Sequence, residues 1–213
     1  IFLIITVAAY LAGSVPVGAI LTRRVSSEDI REKGSGNIGA TNVSRVLGKT
    51  FGLLTLALDL LKGATPVAVA LVIDHADPAW LTAIAGVAAV CGHLYPVYTR
   101  FKGGGKGVAT ACGVFIVAAP WACLIALFVF IVVVRLSARV SAGSLAATAI
   151  MPFGVWLLYG VGPVPDPMTL SAIIISLLII NRHRENIKRL LNGTESRFFF
   201  YLQTRAMPEN PPQ

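Results

Sequence analysis

The sequence predicts an all-α integral membrane protein: seven transmembrane helices, with glycine-rich motif loops gathered on the cytoplasmic face. Three observations carry that expectation. Hydrophobic residues make up 55% of the 213-residue chain and charged ones only 13%, with a mean hydropathy of +0.75, whereas soluble domains carry about 25% charge. Apolar stretches of helical length recur from end to end. Lys and Arg number 18, and all but Lys62 fall between alternate apolar stretches.

Residues 1–22 are long enough for the roughly 20 residues that a helix needs to cross the hydrocarbon core. They carry no basic n-region and no cleavage site, so they read as a first span rather than a signal peptide. Residues 51–73, 80–98, 120–136, 143–160 and 167–180 read as further spans. Residues 107–119 are short for a bilayer at about 1.5 Å per residue, and Pro120 starts a new helix. A short span and a re-entrant segment are the two readings; a short span brings the total to seven. Residues 181–213 then form a tail on a single membrane domain.

With seven spans, Arg23, Arg24, Arg31, Lys33, Arg45 and Lys49 share one face with Arg100, Lys102, Lys106, Arg135, Arg139 and the basic residues of the tail. The opposite connections, 74–79 and 160–166, contain no Lys or Arg. The positive-inside rule places the basic face in the cytoplasm, the N-terminus outside and the C-terminus inside. Six spans would put basic clusters on both faces. The net charge of +8 suits anionic lipid headgroups or an anionic substrate and does not imply nucleic acid. Cys91, Cys112 and Cys123 lie inside apolar runs without metal-site spacing, so they read as packing residues, with no disulfide and no metal site.

The chain is organised around Phe101–Thr110, F-K-G-G-G-K-G-V-A-T. Gly103, Gly104 and Gly105 leave the backbone open to close approach. Lys102 and Lys106 supply charge, and a helix start at Val108 would lie just beyond, which together make a candidate phosphate site. Gly107 follows Lys106 where a Walker loop needs Ser or Thr. A plain basic turn is the competing reading. Upstream, Lys33–Arg45 offers small donors around a glycine turn, namely Ser35, Gly36, Asn37, Thr41 and Asn42, ahead of Arg45. Such groups bind phosphate oxygens or hold a hydroxyl. Its G-x-G-x-x-G lettering lacks a βαβ unit, so no dinucleotide site follows.

Ionisable groups inside the spans mark function or a bundle-locking ion pair: Asp59 and Lys62, three apart, share a helix face and can pair. His93, near the cytoplasmic end of the third span, reads as a buried neutral histidine. Ser141 and Ser144, one turn apart at the start of the sixth span, either face a common cavity or cap the helix. In the tail, His183 and Asn186 point the same way. The cations around them suit anionic lipid, which leaves His183 and Asn186 themselves unexplained.

Three segments now carry a resemblance: K-G-S-G-N-I-G-A-T-N, then G-H-L-Y-P-V-Y with F-K-G-G-G-K-G-V-A-T, then R-H-R-E-N-I-K-R-L-L-N-G-T-E. In order and spacing they resemble the cytoplasmic signatures of the bacterial acyl-phosphate:glycerol-3-phosphate acyltransferases, the PlsY family. The resemblance implies an inner-membrane enzyme acylating the sn-1 hydroxyl of glycerol 3-phosphate from acyl phosphate, the first step of phospholipid synthesis. It implies no metal, no acyl-CoA and no other cofactor. The enzyme that makes acyl phosphate is a candidate partner alongside membrane lipid. His183, Asn186 and Ser35 become catalytic candidates; the Gly36–Arg45 loop, Lys102–Lys106, Ser141 and Ser144 become substrate contacts. Asp59, Lys62, His93 and Glu195 become supporting residues. One departure shows: the family separates the two lysines by two glycines, and this chain has three.

Acyl phosphate is an activated mixed anhydride, so direct attack by the glycerol hydroxyl needs no acyl-enzyme. His183, of a type titrating near pH 6.5, is the candidate proton acceptor; a substrate phosphate oxygen is its rival. A transporter of phosphate or an organic anion would show repeated halves and a midplane site, and no internal repeat is visible.

Overall fold

A computed structural model describes residues 1–73, 78–160 and 166–197. Arg205, the remainder of the tail and most of the two cation-free connections lie outside the described residues. The described chain is helical throughout. The expected first span is two helices, α1 (Phe2–Ser14) and α2 (Val17–Val25). Pro16 breaks them, because it has no N–H and its ring disfavours helix at the preceding Val15. A 3-10 turn at Ile30–Glu32 and the short α3 (Ala40–Leu47) follow.

The expected second span is α4 (Lys49–Ile73), and the third is α5 (Pro78–Leu94) followed by a 3-10 turn at Val97–Thr99. The next four stretches are α6 (Val108–Ala118), α7 (Pro120–Ser137), α8 (Val140–Tyr159) and α9 (Pro167–Arg182), and α10 (Arg184–Leu191) closes the described chain. Five helical stretches are long and apolar enough to cross a membrane: Phe2–Val25, Lys49–Ile73, Ala79–Thr99, Pro120–Ser137 and Val140–Tyr159. The apolar α6 has 11 residues, about 16 Å at 1.5 Å per residue, and α9 has 16, about 24 Å. The protein is a multi-pass membrane protein.

Close backbone approach replaces the hydrophobic effect as the glue between helices in lipid. A Cβ on Gly13 of α1 would collide with the Ala89 carbonyl of α5, and one on Gly113 of α6 with the Leu60 carbonyl of α4. Phe115, Val114, Val90 and Ile175 are fully buried at the centre. Trp121, Leu124 and Phe128 of α7 stay exposed to the bilayer, as outward-facing residues of a span must. Ser176 of α9 donates across to the Thr148 carbonyl of α8 at 2.9 Å.

The α1–α2 break is also where the buried charges go. The Lys62 ammonium donates to the Val15 carbonyl at 2.8 Å and lies 2.9 Å from the Asp59 carboxylate. A cation at a helix C-terminus complements the negative end of the dipole, and the same Val15 carbonyl also accepts from the Val17 N–H at 3.0 Å. His93 Nδ1 sits 3.7 Å from the same Asp59 oxygen. The three groups the sequence singled out thus form one buried cluster joining α1, α4 and α5.

Candidate active site

Three segments converge at one end of the bundle, and the glycine loop lies between the other two. In that loop each of the three glycines has its own reason. Gly103 adopts φ +64°, left-handed backbone that suits glycine. Gly104 has no room for a Cβ beside the Leu94 carbonyl, nor has Gly105 beside His93 Nε2. The Gly105 N–H donates to the His93 carbonyl at 3.1 Å. His93, and through it the Asp59–Lys62 pair, therefore forms the floor under the loop. Gly107, at φ +86°, is the N-cap of α6, whose first-turn N–H groups have no partner within the helix.

The two lysines differ. Lys106 is half-buried and lines a cavity of about 380 Å³ with Asn37, Gly104, Gly105, Arg182 and Arg184. Lys102 is exposed and lines neither this cavity nor its rim. Burial pushes the Lys106 ammonium down to about 8; Glu195 opposes that, while Arg189 and Arg45 add to it. These fields come from all three segments, so Arg45, Lys106 and the Arg189–Glu195 region share one electrostatic site.

The first loop is built on Asn42. Only 1% exposed, it accepts the Ser35 N–H at 2.8 Å and donates to the Lys33 and Asn37 carbonyls, both at 2.9 Å. The sequence reading placed Asn42 among the substrate contacts; its side chain instead holds the loop together, because its amide is already satisfied. Asn37 Oδ1 accepts from the Gly39 N–H at 2.8 Å. Gly36, at φ +69°, turns the chain. Ser35 and Arg45 are exposed, and Thr41 is half-buried at the start of α3.

The third segment supplies the buried polar groups. His183, 2% exposed, sits at the α9–α10 junction with Nδ1 2.8 Å from the Ile179 carbonyl. A carbonyl only accepts, so Nδ1 carries the hydrogen and Nε2 presents a lone pair. Burial lowers the imidazole to about 4; the Ile179 bond raises it, Lys106 lowers it further and Glu195 raises it. Asn186 donates to Glu195 Oε1 at 2.6 Å, and Arg189 Nε to Glu195 Oε2 at 2.7 Å. Burial pushes the Glu195 carboxyl up, but the nearby Ser141 hydroxyl and the hydrogen bonds from Arg189 and Asn186 outweigh it and hold the acid below its ordinary value. Arg139 Nε reaches the Glu195 carbonyl at 3.3 Å. Glu195 thus ties the tail to the start of α8, where Ser141 and Ser144 are buried.

The sequence reading gave no site role to Tyr95, Arg182, Arg184 or Arg189. Arg182 donates to the Leu94 carbonyl and packs over the Tyr95 ring at 4.7 Å. Their signal was the density of cations in the third motif, which lipid binding also explains.

A family model described as glycerol-3-phosphate acyltransferase matches residues 3–193. The glycerol-3-phosphate acyltransferases of Syntrophotalea carbinolica and Geobacter sulfurreducens are each 50% identical, over 92% of this chain and 97% of theirs. A crystal structure of PlsY, an integral membrane glycerol 3-phosphate acyltransferase, in its glycerol 3-phosphate form superposes with a TM-score of 0.87 at 40% identity. That match covers 97% of this chain and 99% of the other. The lysophosphatidic acid form gives a TM-score of 0.83 over 92% and 94%. With most of both partners covered at this identity, the chain belongs to the glycerol-3-phosphate acyltransferase family, and is an acyltransferase of the PlsY type.

Proposed function

We propose that the protein transfers an acyl group from acyl phosphate to the sn-1 hydroxyl of glycerol 3-phosphate, yielding lysophosphatidic acid and inorganic phosphate. The observation that carries this reading is Lys106, which lines the cavity in a membrane bundle and is electrostatically linked to Arg45 and Glu195 and to His183, while Asn186 bonds the same Glu195. Two phosphate-bearing reactants need two cationic holds, and the acyl chain needs access from lipid. In the reaction, the glycerol oxygen bonds the acyl carbon, the carbon–oxygen bond to phosphate breaks, and the hydroxyl proton leaves.

His183 Nε2 takes that proton. In the ligand-free site it stays neutral through the physiological range; two bound phosphates would raise its affinity for a proton, as nearby anions do. Lys106, the α6 N-terminus and the glycine-loop amides receive the departing phosphate. Arg45, with Ser35 and Asn37 beside it, holds glycerol 3-phosphate. Asn186, oriented by Glu195, positions the reactants. The donor reaches the site laterally from the bilayer or from the enzyme that makes it.

We further place seven crossings in the bacterial inner membrane, with α6 and α9 as the short ones, the N-terminus outside and the site cytoplasmic. The cation distribution supports this orientation. Purified protein mixed with glycerol 3-phosphate and acyl phosphate should release phosphate and form 1-acyl product stoichiometrically, and acyl-CoA should not replace the donor. Turnover with acyl-CoA but none with acyl phosphate would overturn the donor assignment; a stable acyl-enzyme formed from acyl phosphate alone would overturn direct transfer.

A further inference from the structure

A second, larger cavity of about 910 Å³ lies on the flank of the bundle, beside the glycine loop. Val15, Pro16 and Ile20 form an apolar wall at the α1–α2 break, and Arg23, Arg31 and Arg100 form a cationic one. The Arg31 side chain packs closely against the backbone of Gly103 in the glycine loop. The two cavities share no lining residue, and the reaction above uses none of these six.

The electrostatics are unbalanced. Asp29 is the acidic neighbour, 3.3 Å from Arg23 and 3.7 Å from Arg31. One carboxylate thus pairs with two of the three guanidinium groups that line the groove. Arg31 Nε is buried and has no hydrogen-bond partner, an orphan donor that a native structure ordinarily satisfies. Val15 and Ile20 remain 36% and 42% exposed, on a helical stretch long and apolar enough to face lipid. A zwitterionic lipid would leave the cationic wall uncompensated, and a small soluble anion would leave the apolar wall bare. Only a ligand with both a hydrocarbon chain and a phosphate headgroup of net negative charge answers both walls, and guanidinium groups are the side chains that grip phosphate bidentately.

We propose that this groove binds one anionic phospholipid from the surrounding leaflet, its phosphate among Arg23, Arg31 and Arg100 and a chain along Val15–Ile20. Basic pockets between membrane helices are an established physical route to such selectivity.

The test is native mass spectrometry of the full chain released from vesicles of equal phosphatidylcholine and phosphatidylglycerol. Wild type should retain one phosphatidylglycerol, preferred over phosphatidylcholine by tenfold or more. The Arg23→Gln/Arg100→Gln variant should lose that preference, by about thirtyfold for two cations at about 1 kcal/mol each near the surface. Arg24→Gln/Arg135→Gln removes the same charge from exposed positions outside the groove and should keep the preference within about twofold. Turnover in detergent checks that each variant is folded; if the double variant is not, the exposed Arg100→Gln alone should still weaken retention severalfold. Equal loss in both double variants would reduce the effect to bulk charge and sink the proposal. So would displacement of the lipid by millimolar inorganic phosphate, or retention of lysophosphatidic acid but not phosphatidylglycerol, which would make the groove part of the reaction site.

Discussion

Lys102 and Lys106 stand four residues apart and look equivalent on paper, yet the fold separates them by burial. Of the two, only Lys106 lines the cavity of about 380 Å³, so under the proposed function only Lys106 is placed to meet a phosphate. A charge-assisted hydrogen bond is worth about 1.5–3 kcal/mol. Lys106→Ala should therefore lower kcat/KM for glycerol 3-phosphate or acyl phosphate about tenfold to hundredfold, and Lys102→Ala should change it less than about threefold. Steady-state kinetics on the two variants checks the split. The pH dependence follows. An ammonium held at about 8 loses its charge as pH rises through that value, so kcat/KM should fall on the alkaline side near pH 8. Lys106→Arg, charged throughout, should move that limb well above pH 9 even if its turnover is reduced. For His183, a base role predicts that His183→Gln lowers kcat on the order of 10²–10⁴; a loss under tenfold with an unchanged pH profile would assign the proton to a phosphate oxygen instead. Which segments gather at one end of the bundle was legible in the sequence, because glycine, lysine and histidine were concentrated in three short stretches. Their division of labour was not. Asn42 has the same chemistry whether it meets a ligand or three loop carbonyls, and only the closed loop decides.

Among the elements, the α1–α2 break was passed over by hydropathy, which reads residues 1–22 as one apolar run, although Gly13, Ser14 and Pro16 mark the bend at Val15–Pro16. The other apolar stretches matched helices to within a few residues, since hydropathy reports the segment even when length does not settle how it crosses. The Lys62–Asp59 pair belongs to this scale, because it joins the break to α4 and, through His93, to the glycine loop. Removing one member of a buried pair strands the other, at about 3–5 kcal/mol, whereas replacing both with apolar groups is often near neutral. Asp59→Ala should thus lower the thermal stability of the detergent-solubilised protein severely, and Asp59→Leu/Lys62→Met should recover most of it. If the double variant is stable but its KM for glycerol 3-phosphate has risen more than about tenfold, the pair also positions the loop through His93. Stability and KM both restored would make it a purely structural tie.

At the scale of the molecule, the site depends on which helix ends share a membrane face. In a variant lacking native cysteines, a membrane-impermeant thiol reagent applied outside intact cells should label Trp80→Cys and spare Lys102→Cys until the membrane is opened. The reverse pattern would invert the orientation, and labelling of both from outside would break the seven-crossing path. Glu195, finally, draws its partners from Arg139, Asn186 and Arg189, and the electrostatic site runs back to Arg45. Synthesis delivers these residues in order from one end, so a ribosome threading the chain into the bilayer has every span in place before the carboxylate that orients Asn186 emerges. The nascent chain is therefore an anchored bundle without this carboxylate, and a copy terminated before Glu195 would occupy membrane yet lack the group that Asn186 and Arg189 bond.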